Sequence, residues 1–173
     1  MEFLVCIQNL GKYNEGELVF SWVDLMLGDV DWVEEMKNIG VAQGNAYEEY
    51  MIADFTTDIK GLDINEYESL DKIDDIAELL RQLKSSHQEG EFKALVEYFG
   101  SFEEAKLQYE EGDYLYIPRV NSDKDLGYYL VDTELFGIQI PTNLKPYIDF
   151  EKIGREYAQG SNLYTKDGFI KVY

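Results

Sequence analysis

Residues 93–112 are the stretch that most constrains the fold, because two glycines fix where two short helices end. Gly100 and Gly112 can each adopt the left-handed conformation that closes an α-helix and that other residues enter only at a steric cost. Ser101 can cap the second helix, and Glu104, three residues later, completes a capping box. The inward face consists of apolar residues at helical spacing, namely Leu95, Val96, Phe99, Phe102, Ala105 and Tyr109. On pattern alone, the stretch predicts a solvated amphipathic hairpin.

The first 60 residues predict a small sheet and one helix in the order β–β–α–β. Apolar and β-branched runs indicate three strands, at about residues 3–8, 18–23 and 48–55. Gly11 and residues 14–16 are turn formers between the first two strands. Asp29 or Asp31 can cap a helix that we expect to end at Gly40.

Residues 61–112 predict a helical segment with an acidic face. Ser69 can cap a helix that runs to about Lys84 and carries a continuous apolar stripe. Four acids stand at i, i+3, i+4 and i+7 and therefore share one face, namely Asp71, Asp74, Asp75 and Glu78. Such like-charged neighbours destabilise an isolated helix by roughly a few tenths of a kcal/mol per pair. The positive end of the helix dipole compensates the acids of the first turn, but it does not reach Glu78.

Residues 113–173 predict a mixed segment that closes with a hairpin. The pattern indicates a strand at residues 114–118, helices from Ser122 to about Glu134 and from Asp149 to about Ala158, and a hairpin over residues 162–173. Taken together, the three segments predict an α+β fold of three small domains, at 1–60, 61–112 and 113–173.

Charge distinguishes the segments and limits the class of partner. The chain has 35 acidic and 15 basic residues, which gives a net charge of −20. The segments hold 12 acids against 3 bases, 14 against 5, and 9 against 7, so their net charges are −9, −9 and −2. Such a chain repels nucleic acid and anionic membranes, and its natural partners are basic surfaces. The nearly neutral, tyrosine-rich third segment suits self-association.

The magnitude of this charge is comparable to that of DNA. Duplex DNA carries about one charge per 1.7 Å of axis, so 20 charges correspond to roughly 34 Å of duplex. A globule of this length has a radius of gyration of about 16 Å, hence a similar long dimension. This agreement allows a DNA-like charge distribution but does not establish one, since many acidic proteins approach the same charge density.

Catalytic and metal-binding motifs are sparse in this sequence. His87 is the one histidine and Cys6 the one cysteine, so an ordinary zinc site or a histidine-based triad is hard to build. Asp123, Asp125 and Glu134 match three positions of a calcium loop, but the glycine at its turn is missing. We expect no enzyme activity, no cofactor and no metal. Two other classes stay open: an acidic divalent-cation-binding protein or small acidic hydrolase, and a salt-adapted or plain interaction protein.

The cellular compartment is indicated by the cysteine count and the chain start. A single cysteine excludes an internal disulfide and fits a reducing cytoplasm. The acidic start Met1-Glu2 is unlike a signal peptide, and no apolar run approaches the ~20 residues of a membrane span. We therefore expect a cytoplasmic protein with no membrane partner.

Three stretches resemble the ArdA family of antirestriction proteins. The sequence Glu97-Tyr-Phe-Gly-Ser-Phe-Glu-Glu-Ala105 is similar to their antirestriction motif, and Asn9-Leu-Gly-Lys-Tyr-Asn-Glu-Gly-Glu-Leu-Val19 is similar to their N-terminal signature. Residues 140–157 resemble their C-terminal block. The resemblance implies an elongated protein of three small domains that dimerises through the last one. It also implies a mimic of double-stranded DNA that occupies the DNA-binding groove of Type I restriction–modification enzymes and does not itself bind nucleic acid.

In such a mimic, side-chain carboxylates stand where phosphates would be and act collectively on basic residues of the enzyme. The candidates are Glu34, Glu35, Glu48, Glu49, Asp54, Asp58, Asp71, Asp74, Asp75, Glu78, Glu97, Glu103, Glu104, Glu110 and Glu111. We expect the tyrosines to support carboxylates or to anchor interfaces. Candidates for the homodimer interface lie in the third segment, namely Tyr114, Tyr116, Ile117, Tyr128 and Phe136.

Overall fold

The N-terminal sheet is organised around its central strand, which runs antiparallel to both neighbours. In the computed structural model the strand order is β2-β1-β3, with bounds β1 (Phe3–Asn9), β2 (Phe20–Asp24) and β3 (Tyr50–Thr57). Both faces of β1 are covered, which explains its nearly unbroken apolar sequence: Phe3, Val5 and Ile7 are fully buried on one face, and Cys6 is buried on the other. The predicted strand order along the chain is confirmed, although β2 and β3 begin about two residues later than predicted.

Three helices accompany this sheet, and polar side chains cap each of them. Their bounds are α1 (Leu10–Asn14), α2 (Trp32–Asn38) and α3 (Leu70–Ser85). Asp31 accepts a hydrogen bond from the Glu34 amide, and Ser69 accepts one from the Lys72 amide, so both predicted caps are confirmed. Of the predicted turn formers, Gly11 and Asn14 lie instead in α1, which the Asn9 side chain caps, whereas residues 15–16 form a turn as predicted.

The two helices of the hairpin end just before the two glycines, as predicted. Its helices are α4 (Glu89–Phe99) and α5 (Phe102–Glu111). Gly100 and Gly112 have φ of +71° and +73°, and the Ser101 hydroxyl accepts the Glu104 amide at 3.4 Å. The Phe92 ring meets the edges of two α5 aromatic rings, those of Phe102 and Tyr109, at centroid distances of 5.5 and 5.7 Å.

The C-terminal sheet has the order β4-β6-β5 and is antiparallel throughout. Its strands are β4 (Tyr114–Pro118), β5 (Asn162–Tyr164) and β6 (Gly168–Val172), and the accompanying helices are α6 (Asp123–Asp132), α7 (Phe150–Tyr157) and a 3₁₀ turn (Lys145–Tyr147). The predicted terminal hairpin is confirmed. Ser122 and Asp149 cap α6 and α7 as predicted, and α6 is helical through Tyr128, where a calcium loop would have to turn.

Two glycines allow α6 and α7 to approach backbone to backbone. A Cβ placed on Gly127 would lie 1.8 Å from the Phe150 carbonyl oxygen, and one on Gly154 would lie 1.8 Å from the Asp123 carbonyl oxygen. No larger residue fits at either crossing position. Below the crossing, a core cluster joins the helices to the sheet, formed by Ile117, Val120, Leu126, Leu130 and Phe169.

The structure describes residues 1–135, 137 and 139–173. Across these residues it shows seven α-helices and two three-stranded antiparallel sheets, which confirms the α+β class. The chain divides into an N-terminal unit, Met1–Glu89, and a C-terminal unit, Gly90–Tyr173. The finer division into three domains stays a prediction.

Candidate partner-binding surface

The predicted carboxylates lie mostly at the surface. Thirteen of the fifteen belong to exposed residues, and two, Glu35 and Asp74, belong to half-buried ones. Ten are in the N-terminal unit, and five are in the helical hairpin of the C-terminal unit. The surface is therefore considered one unit at a time.

Helix α3 presents the most regular group of acids. Asp71, Asp75 and Glu78 are exposed, and with Asp74 they lie within about 100° of arc at 100° per residue. From Asp71 to Glu78 the helix rises about 10.5 Å, in steps of about 4.5, 1.5 and 4.5 Å between successive acids, so their mean spacing along the axis is roughly 3.5 Å. One strand of DNA carries a charge about every 3.4 Å of axis. The two spacings agree within the flexibility of the side chains.

Asp74 is held in place by a tryptophan that the sequence analysis did not identify. The Trp32 indole Nε1 donates a hydrogen bond to Asp74 Oδ2 at 2.8 Å, which joins α2 to α3. Glu78 is also oriented, because its Oε1 accepts from Gln82 Nε2 at 3.0 Å. The sequence pattern does not reveal this contact, because the two residues are 42 positions apart. The one hint, an indole donor on a short capped helix, is a weak signal of such a bond.

Arg81, the basic residue one turn beyond Glu78, is engaged within the protein. Its guanidinium donates to the carbonyl oxygens of Leu25 and Gly28 and pairs with Asp29 at 2.9 Å. The arginine thus anchors the loop after β2. Its charge is directed toward that loop.

The other predicted acids of the N-terminal unit are dispersed over several elements. Glu35 accepts from the Ser21 hydroxyl, Glu48 accepts from the Gly44 amide, and Asp58 accepts from the Glu2 amide. Asp54 projects from β3 opposite Cys6. Burial first, and the Asp54 charge second, raise the pKa of the Cys6 thiol, so this cysteine is an unreactive core residue.

In the C-terminal unit the acids follow both helices of the hairpin. Glu103 and Glu104 lie in the first turn of α5, where the helix dipole favours them. Glu110 and Glu111 lie in the last turn, where the same dipole disfavours them, and no basic residue is in that turn. Glu97 is exposed on α4. The placement of the last-turn pair has no stabilising role within the helix.

Within the described part of the chain, tyrosines donate hydrogen bonds to carboxylates in at least three places. The pairs are Tyr47 to Glu15, Tyr114 to Glu91 and Tyr164 to Asp123, at 2.6 to 2.8 Å. The Tyr47 hydroxyl lowers the pKa of Glu15, while burial, with the neighbouring carboxylate, raises the pKa of both Tyr114 and Tyr164. Tyrosines do orient carboxylates here, but these three acids are not among the predicted ones.

The predicted dimer-interface residues occupy different environments. Ile117 is fully buried in the core of its own unit, so assigning it to an interface is wrong. Tyr114 and Tyr116 are half-buried, with hydroxyls that donate to Glu91 and to the Asp167 carbonyl oxygen. Tyr128 is exposed and stacks on Phe150 at a centroid distance of 4.0 Å. Phe136 lies outside the described residues.

The described residues provide neither a metal-binding group nor a membrane-spanning helix. Among the described residues, no group of three or more His, Cys, Asp and Glu side chains is arranged to hold a metal ion. His87 is exposed just after α3, in a left-handed conformation with φ of 60°. None of the helices in the described part of the chain is long and apolar enough to cross a membrane.

Comparison with known proteins agrees with the sequence resemblance. The family model described as "Antirestriction protein (ArdA)" matches residues 5–171 of the 173-residue chain. No curated protein matches the chain significantly. The family match covers both units, including the α3 carboxylates and the hairpin. The chain therefore belongs to the ArdA family of antirestriction proteins.

Proposed function

We propose that the protein is a cytoplasmic, non-catalytic inhibitor that mimics double-stranded DNA. It occupies the DNA-binding groove of a Type I restriction–modification enzyme and places carboxylates against the basic residues that normally bind phosphates. Inhibition is stoichiometric and competitive, since the protein has no chemical step to perform.

The observation that carries this proposal is the row of carboxylates on α3. The mean spacing of its charges along the helix axis, roughly 3.5 Å, is close to that of one DNA strand. The arrangement is costly within an isolated helix, because neighbouring like charges repel. Trp32 and Gln82 nevertheless hold two of these acids in place. The bond from Trp32 also joins two helices, and in the same contact it presents the Asp74 carboxylate in a fixed direction.

The experiment is inhibition of DNA cleavage by a purified Type I enzyme, with and without the α3 charges. In the variant Asp71→Asn/Asp75→Asn/Glu78→Gln the side-chain shapes are preserved and three exposed charges are removed. Single ion pairs of this kind contribute about 0.5 kcal/mol each, so the concentration for half-inhibition should rise about tenfold.

The matched control is Asp113→Asn/Glu134→Gln/Glu156→Gln, which also removes three exposed charges. These residues are not among the predicted carboxylates, and we expect inhibition close to that of the unmodified chain. Equal losses in the two variants would mean that only net charge matters. If far less than one inhibitor molecule per enzyme molecule still blocked cleavage, the inhibitor itself would be acting as a catalyst.

We also propose that the protein forms a homodimer through residues 113–173. This segment is nearly neutral, and its exposed apolar side chains include Tyr128, Leu144 and Tyr147. Light scattering should give twice the chain mass of 20.1 kDa at micromolar concentration. A measured mass equal to that of one chain would contradict the proposed homodimer.

A further inference from the structure

The outer face of β2 exposes an alternating row of large apolar side chains. Leu18, Phe20 and Trp22 are 71%, 53% and 44% exposed. Leu18 lies two residues before β2 begins, and Val19 and Ser21, between the three, are half-buried. Val23 and Leu25, which follow, point the other way and are 7% and 0% exposed. Strand alternation therefore separates a core face from an apolar face that meets water.

This outer face extends across the whole sheet. The register places Trp22 opposite Cys6 and Cys6 opposite Asp54, while Phe20 lies opposite Gln8. Cys6 and Gln8 are each 5% exposed, so the central strand is already covered on this side. The rings of Phe20 and Trp22 therefore remain about half exposed although the strand beneath them is already shielded from water.

The size of the exposed surface approaches that of the largest apolar patch of an ordinary monomeric protein. Aromatic side chains present about 150–250 Å² each, so two half-exposed rings leave on the order of 200 Å², to which Leu18 adds. The largest apolar patch of a monomeric protein is typically a few hundred Å² and is often functional. Tryptophan is also among the residues that contribute most when an interface covers them.

Charge identifies what covers this face. The N-terminal unit contains 20 acids and 6 bases, a net charge of −14, so a second copy of it and any nucleic acid are repelled. Two carboxylates lie on the same sheet face as the rings, Asp54 and Asp24. A basic protein surface with an apolar depression complements both features.

We propose that Leu18, Phe20 and Trp22 form an apolar anchor that docks on the basic DNA-binding surface of the restriction enzyme. The inference rests on the proposed function and adds a component that DNA itself lacks. Carboxylates give affinity that falls with salt, whereas burial of the anchor gives affinity that salt does not screen. The anchor adds affinity that does not depend on reproducing the charges of DNA.

The test is displacement of a fluorescent DNA duplex from a purified Type I methyltransferase at two salt concentrations. Phe20→Ser/Trp22→Ser should raise the inhibition constant about tenfold at both concentrations, leaving the salt dependence unchanged. The control Leu27→Ser/Val33→Ser removes two apolar side chains that are more exposed and not on the sheet. It should change the constant less than about twofold.

Several outcomes would overturn the anchor. An inhibition constant for Phe20→Ser/Trp22→Ser within twofold of that of the unmodified chain would contradict the anchor but leave the DNA-mimic proposal intact. A loss of dimerisation in this variant would instead assign the face to a second copy. If the unmodified chain displaces no DNA, the proposed function itself fails.

A second measurement covers the case in which the serine variant does not fold. Trp32→Phe leaves Trp22 as the sole tryptophan, and 5-hydroxytryptophan incorporated there can be excited apart from the tryptophans of the enzyme. Its quenching by acrylamide should fall severalfold when the methyltransferase is added. Unchanged quenching in a complex that forms would contradict the anchor.

Discussion

At the scale of single residues, side-chain hydrogen bonds determine how rigidly carboxylates are presented. Asp74 is fixed by the Trp32 indole, and Glu15 is fixed by the Tyr47 hydroxyl. An oriented carboxylate loses less side-chain entropy when it binds a basic partner, so its net contribution is larger than that of a mobile one.

The contact between Trp32 and Asp74 should be measurable as stability. Trp32→Phe removes the donor and leaves a half-buried carboxylate without it, so the free energy of unfolding should fall by about 1–2 kcal/mol. Urea denaturation monitored by circular dichroism measures this change. Trp22→Phe is the control, and an equal loss in both variants would argue against the hydrogen bond.

The tyrosines should set the alkaline limit of stability. Burial first, then a hydrogen bond with Tyr173, raises the pKa of Tyr157 to about 12, and the pKa values of Tyr114 and Tyr164 are raised as well. These groups stabilise the fold fully below pH 10, their ordinary pKa, and the stabilisation is lost as pH rises toward the folded-state values.

Thermal unfolding followed across that alkaline range measures the loss. Tyr164→Phe retains the ring but not the ionisable hydroxyl, so its melting temperature should decline less steeply above pH 10. Parallel declines in the two proteins would show that Tyr164 is not one of the groups responsible.

At the scale of elements, the sequence predicts what is local and misses what depends on a neighbour. The caps at Ser69, Ser101 and Asp149 were predictable because each bonds within its own turn. The first residues of β2 and β3 were not, because the length of β1 determines where pairing starts, opposite Gln8 and Asn9. The contact of Trp32 could not be predicted either, because its partner Asp74 is 42 residues away along the chain.

The crossing of α6 and α7 is the element-scale feature that tolerates least change. Gly154→Ala would place a methyl group 1.8 Å from the Asp123 carbonyl oxygen, so the helices must separate. Overpacking of this kind costs about 1–3 kcal/mol, which calorimetry should show as a lower melting temperature. Glu156→Ala, at an exposed site of the same helix, should change stability little, and equal effects would mean that the crossing is not tight.

At the scale of the whole molecule, the distribution of charge matters as much as its total. The N-terminal unit carries −14 and the C-terminal unit −6, so each has a net negative charge that a basic partner would attract. The list of exposed carboxylates was largely predictable from composition and helix periodicity. Which of them meet the partner was not, because that depends on the arrangement of many side chains in space.

The most direct measurement is equilibrium competition between the unmodified protein and duplex DNA for a purified Type I methyltransferase, repeated over a range of salt concentrations. The proposed mimicry predicts displacement of DNA near one inhibitor per binding groove, with an inhibition constant that weakens as salt rises because ion pairs are screened. Failure to displace DNA, or an affinity indifferent to salt, would contradict it.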